Sequence, residues 1–154
     1  MAAADFDDFS IQLCELLNLE LPSLTCDDEG RRAFTITHKG TEFSFIERRS
    51  HRSENMSMLV KFGAPPSDKA AEVMANLMNA NFLMMQKGGG AFVQMPETGE
   101  IFLHRMTPLS QLHVPGVHTF LNKFSDHVAR WSRDYFLDSA ANASSGELRF
   151  ARLA

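Results

Sequence analysis

The spacing of hydrophobic positions changes several times along the chain, and each change marks an element. Phe6, Phe9, Leu13, Leu16 and Leu17 recur at intervals of three and four, which predicts an amphipathic helix over Asp5 to Asn18. Asp5, Asp7 and Asp8 stand at its electropositive end, and Asn18 suits a left-handed terminator. The LELPSL that follows is extended because Pro22 excludes further helix, and Asp27, Asp28, Glu29 and Gly30 make an acidic turn. From Arg32 the period becomes two. Phe34 and Ile36 alternate with Thr35 and Thr37, Lys39-Gly40 supplies a turn, and Phe43 and Phe45 alternate with Glu42 and Ser44, so this is a hairpin with one apolar face. Arg48 to Asn55 has no period and reads as a solvated loop, after which Met58, Val60 and Phe62 predict a third strand.

The stretch from Pro65 to Gly90 predicts the central helix. Pro65 and Pro66 keep the entry extended, Ser67 is placed to cap, and the three glycines 88 to 90 stop it. Val73, Met74, Leu77, Met78, Ala80, Phe82, Leu83, Met84 and Met85 spread round most of its circumference. A helix apolar on most sides is buried on most sides, and one subunit has too little other chain to cover it, so a second copy is expected against it. Ala91 to Met95 and Glu100 to Met106 form a second hairpin about Pro96 to Gly99, again with apolar residues on both faces. Pro108 and Pro115-Gly116 bracket a loop. Val117, Phe120, Leu121, Phe124, Val128, Trp131 and Tyr135 then mark one face of a last helix. The Ser-, Ala- and Asn-rich stretch from Asp138 to Ala154 is expected to be a flexible tail on a single domain spanning 1 to 137.

Composition narrows the chemistry. In 154 residues, 44% hydrophobic content supports a real core, and a net charge of -4 gives no general attraction to nucleic acid or anionic lipid. No apolar run approaches a membrane span, and the acidic N-terminus is unlike a signal peptide. Cys14 and Cys26 form no metal or redox spacing. None of the six histidines stands in HExxH, and the triple glycine follows a helix instead of preceding one, the wrong order for holding phosphate. Neither metal nor nucleotide nor other cofactor is expected, and no enzymatic activity. Two other classes compete on the residues alone: an α+β domain whose surplus apolar residues line a pocket for a small molecule or lipid, and a hydrolase using His104 or His118. The nine methionines suit either a core of unbranched side chains or a surface that adapts to a partner.

The order is thus helix, three strands, helix, two strands, helix about an antiparallel twisted sheet. In LCELLNLELPSL, the FTITHKGTEFSF hairpin, SMLVKFGAPPSDKAAEVMANLMNANFLM, the GGGAFVQMPETGEIFLHRM hairpin and the terminal RWSRDYF, the chain resembles the class I type III secretion chaperones, the Tir-chaperone (CesT) family. The resemblance implies a bacterial cytoplasmic homodimer that holds the N-terminal segment of a secreted effector extended, with a further contact to the secretion ATPase. It implies dimer contacts through Met74, Leu77, Met78, Leu83, Phe92, Val93 and Met95. Effector contacts would fall on Phe9, Leu13, Leu16, Phe34, Ile36, Phe43 and Phe45.

Overall fold

The first helix begins where its acidic start demands. The Asp5 carboxylate accepts the Asp8 N–H at 2.9 Å, capping α1 (Phe6–Leu17), and Asn18 ends it at φ 53° with its own N–H on the Glu15 carbonyl and that of Leu19 on the Cys14 carbonyl. In the computed structural model, which describes residues 5–50 and 53–135, α1 is followed by β1 (Thr25–Cys26), β2 (Arg32–His38), β3 (Thr41–Ser50), β4 (Ser53–Gly63), α2 (Ala70–Met85), β5 (Ala91–Gln94), β6 (Ile101–Pro108) and α3 (Val114–Asp134). All six strands are antiparallel in one sheet of order β1-β2-β3-β4-β6-β5. The fold is the expected α+β order with one short strand, β1, added at the edge.

Lys39 and Gly40 both take positive φ, the geometry a two-residue hairpin requires, and this fixes Phe34 opposite Phe45 and Ile36 opposite Phe43. The register continues through Met58 and Val60 of β4 to Leu103 of β6 and Phe92 of β5, so one face of the sheet is apolar from β2 to β5. Two helices close that face. Phe6 and Phe9 of α1 pack on Phe34 and Phe45 at ring separations from 5.4 to 6.1 Å. Across the sheet, Trp131 of α3 meets Phe62 edge-on at 5.7 Å. All these side chains belong to one continuous buried cluster.

Several boundaries differ from expectation. Arg48 to Asn55 is no loop: β3 and β4 stay paired as far as Ser50 opposite Ser53, with Arg48 facing Asn55 and Arg49 facing Glu54. A ribbon extending past the covering helices needs no apolar alternation, which is why its period is silent. α2 starts at Ala70 without a side-chain cap, so Ser67 does not cap it; residues 67–69 form turns instead. Its C-terminus does follow the glycines, with Gly88 at φ 65° and the Gly89 N–H on the Met84 carbonyl. Gly90 serves a second purpose, because a Cβ there would overlap the His104 carbonyl. Pro115 and Gly116 fall inside the first turn of α3, where a missing N–H costs nothing. His51, Arg52 and the expected tail from Asp138 lie outside the described residues.

One buried charge ties the first helix to the sheet. Glu47 is 1% exposed and accepts two hydrogen bonds from Arg32, both at 2.8 Å, and one from Arg49 at 2.7 Å; Arg32 also pairs with Asp7 of α1. The Arg32 hydrogen bonds hold the Glu47 carboxyl below the usual carboxylate range despite the opposing effect of burial. A depressed pKa contributes stability that is complete above the unfolded-state value, about 4.3, and is lost as pH falls through the folded-state value. Urea denaturation is therefore expected to give a midpoint that drops as pH is lowered from about 5 toward 3. Glu47→Gln should flatten that dependence and cost about 3 kcal/mol at pH 7, since it leaves Arg32 with Asp7 alone.

Candidate functional site

Two separate surfaces carry apolar side chains that the described residues leave uncovered. The first lies on α2. Val73, Leu77, Ala80 and Met84 form its buried stripe, and the opposite side exposes Met78 at 69%, Phe82 at 65% and Met85 at 74%. Helical spacing of four and three residues puts these three on one face. α2 packs against β5, whose Val93 and the adjoining Met95 are also exposed. The amide of Asn81 joins the two elements: its Nδ2 donates to the Phe92 carbonyl at 2.9 Å, and the Phe92 N–H donates to its Oδ1 at 2.6 Å. Asn81 thereby takes the place of a neighbouring strand and closes this sheet edge at Phe92.

The second surface lies at the other edge. Leu16, Leu19, Leu21 and Leu24 are exposed between the end of α1 and β1, with Leu21 at 63%. Beside them, among the described residues, β2 has a strand partner on its outer side only at Arg32 and Ala33, where β1 pairs with it; from Phe34 to His38 it pairs with β3 alone. Such an edge presents backbone N–H and C=O groups to an incoming chain.

The residues expected to form these surfaces are distributed differently. Of the seven expected at a dimer contact, Met78, Val93 and Met95 are exposed and Met74 and Leu83 half-buried, while Leu77 and Phe92 belong to the core. Phe82 and Met85, left out of that set, are the most open residues of the face together with Met78. Of the seven expected to touch an effector, Leu16 alone is exposed. Phe9, Leu13, Phe34, Ile36, Phe43 and Phe45 are buried in the core. A side chain without surface cannot contact a partner, and a charge at Leu13 would be a folding lesion. Leu19, Leu21 and Leu24 stand in the extended LELPSL, whose lack of a helical or strand period gives no sign of which side they face.

Elsewhere the polar groups serve structure. His104 Nε2 lies 3.0 Å from Ser57 Oγ, and burial, then Arg48, lowers the imidazole pKa. Ser57 is itself buried and its oxygen also faces Arg48 at 3.4 Å, and no carboxylate orients the imidazole among the described residues, so the pair lacks the access and the third member of a hydrolytic triad. His118 packs edge-on against His38, whose Nε2 lies 3.0 Å from Asn122 Oδ1. Burial pushes the Cys14 thiol up, away from reactivity. Among the described residues no group of His, Cys, Asp and Glu could hold a metal, and no helix is long and apolar enough to cross a membrane. A surface cleft of about 240 Å³ is lined by Glu29, Gly30, Arg31, Arg48, Arg49 and Asn55, a polar set unsuited to lipid. Met78, Phe82, Met85, Leu16 and Leu21 face outward, where the small-molecule reading expects them to line an internal pocket.

A covered inner face with two uncovered apolar surfaces describes a binding protein, and the relationships of the chain agree. The model of the Tir chaperone protein (CesT) family matches residues 12–132, so the chain belongs to that family. The fold is similar to a solved structure of the ExsC-ExsE complex, with a TM-score of 0.62 at 17% identity over 90% of this chain and 97% of that one. A structure of the HopA1-SchA chaperone-effector complex gives 0.49 at 15% identity, over 81% and 88% of the two chains. Among curated proteins no significant match is found.

Asn81→Leu should leave the Phe92 N–H and carbonyl unpaired at a partly buried edge. The expected loss is about 2 kcal/mol in urea denaturation, together with faster hydrogen exchange at the Phe92 amide.

Proposed function

We propose that the chain is a bacterial type III secretion chaperone, acting in the cytoplasm as a homodimer that holds the N-terminal segment of a secreted effector extended. The observation that carries this reading is the pair of uncovered apolar surfaces, of different shape, at the two edges of one sheet. A helix face of Met78, Phe82 and Met85 beside a closed strand edge suits a rigid, folded surface, and a second copy of the same face is self-complementary across a twofold axis. An obligate contact of this kind buries on the order of 2,000 Å². The leucine row beside an open β2 edge suits an extended polypeptide. Backbone pairing supplies part of the affinity, and leucine-lined pockets take alternate side chains.

Each anchor buried against the leucines contributes roughly 1.5 to 3 kcal/mol, from which the ordering of the segment is subtracted. Binding is passive in this reading: it needs no nucleotide, and the loaded chaperone is then met by the secretion ATPase.

Phe82→Asp combined with Met85→Asp places two charges in the proposed dimer contact without touching the core. Sedimentation should show monomer with unchanged far-ultraviolet circular dichroism; a wild-type chain that is monomeric at micromolar concentration would exclude the dimer. Leu16→Asp with Leu21→Asp should leave the dimer intact and weaken binding of the effector's N-terminal segment at least about 100-fold, since two anchors are lost. Titration followed by fluorescence anisotropy measures this, and unchanged affinity would move the effector to another surface.

A further inference from the structure

The first cation of the chain is Arg31: no Lys or Arg occurs from Met1 to Gly30. Within that stretch the exposed leucines at 16, 19, 21 and 24 are interleaved with Glu15 and Glu20 and followed by Asp28. Nearby acids are neutralised, Asp27 and Glu29 by Arg31 and Asp7 by Arg32. Glu15, Glu20 and Asp28 are exposed and have no side-chain partner among the described residues. A second, independent feature adds to this charge. The last turn of α1 contains no basic residue, so the negative end of its dipole opens beside Leu16, and Glu15 stands where a helix would favour a cation.

We propose that this surface selects extended segments in which apolar anchors are flanked by Lys or Arg. The inference rests on the reading that the leucine row holds an extended polypeptide, and it names the chemistry of that polypeptide. Leucines alone would accept any apolar chain. Three unneutralised carboxylates in the same stretch, and a helix C-terminus at its start, favour a cationic occupant and repel an acidic one, which is how a surface of low shape specificity gains selectivity. Three exposed ion pairs together give about a tenfold preference. That preference is screened away as the Debye length falls to about 3 Å in 1 M salt.

The test uses the full chain and two synthetic peptides of equal length with the same alternating leucines, one flanked by three Lys and one by three Glu. Anisotropy should show the Lys peptide binding about tenfold tighter at low salt. The ratio should approach one in 1 M salt and in the Glu15→Gln, Glu20→Gln, Asp28→Asn variant. It should persist in Glu72→Gln, Glu97→Gln, Asp126→Asn, which removes equal charge from exposed positions elsewhere. Equal loss in that control would assign the effect to net charge and overturn the proposal. Equal affinity for both peptides, still abolished by Leu16→Asp with Leu21→Asp, would overturn the charge selection while the extended-segment reading stands. Binding indifferent to those leucines would overturn both. A gain in affinity for the Lys peptide on deleting residues 138–154 would make the chain's own Arg149 and Arg152 segment the occupant, and dimer dissociation by Leu21→Asp would make it a second copy. Either result would replace the proposal.

Discussion

The architecture depends on how one face of the sheet is closed. α1 and α3 both lie on that face, and the aromatic contacts Phe6 to Phe34, Phe9 to Phe45 and Phe62 to Trp131 seal it from both ends. Van der Waals packing alone would let α1 slide along the sheet. The Asp7, Arg32, Glu47 and Arg49 network sets its position, because a buried carboxylate with three charge-assisted hydrogen bonds has one satisfactory arrangement. With α1 and α3 committed to one face, α2 is left to close an edge. Among the described residues no helix remains for the leucines at 16, 19, 21 and 24 or for the open length of β2. The uncovered surfaces follow from that shortage of helix.

The two faces of α2 differ in composition as they differ in exposure. Its inner stripe, Val73, Leu77, Ala80 and Met84, is narrow and includes an alanine, which allows close approach to β5 and lets Asn81 reach the Phe92 backbone. Its outer row is built from two methionines and a phenylalanine. Thioethers fit surfaces of varied shape, and a ring supplies a large apolar area at low entropy cost. A water-facing helix has no use for such side chains, since exposing them costs solubility without adding contacts.

Periodicity made most of the fold legible in the sequence, because elements that bury one face must repeat apolar residues at their own period. The first hairpin, the third strand, the second hairpin and all three helices were readable for that reason. Where no face is buried the signal vanishes, which accounts for the distal β3-β4 ribbon and for β1, whose two residues are both exposed. The uncovered surfaces were half legible. Excess apolar character in α2 marks a helix with more apolar surface than its own subunit buries, but the pattern could not divide the circumference into its two stripes; Leu77 and Phe82 are equally apolar in sequence and opposite in exposure. Six of the seven residues expected to touch an effector are buried for a similar physical reason. Strong alternation identifies the best-packed face, and the best-packed face is the one a partner cannot reach.

Placing the two surfaces on opposite edges of one sheet has a consequence for how a long segment would be held. In the proposed dimer the twofold axis runs through the α2 contact, so the two leucine rows and the two open β2 edges lie distal to it, one on each subunit. A polypeptide segment has direction and a sequence that does not repeat, so it cannot satisfy two identical sites in the same way. It must present different residues to each, and once the first site is filled the second binds at an effective concentration set by the intervening chain. Modest individual contacts, a few leucine pockets and a short run of backbone pairing, then suffice on each subunit. They also keep the segment extended between the sites, because a chain engaged at two separated edges has little freedom left to collapse into a domain of its own.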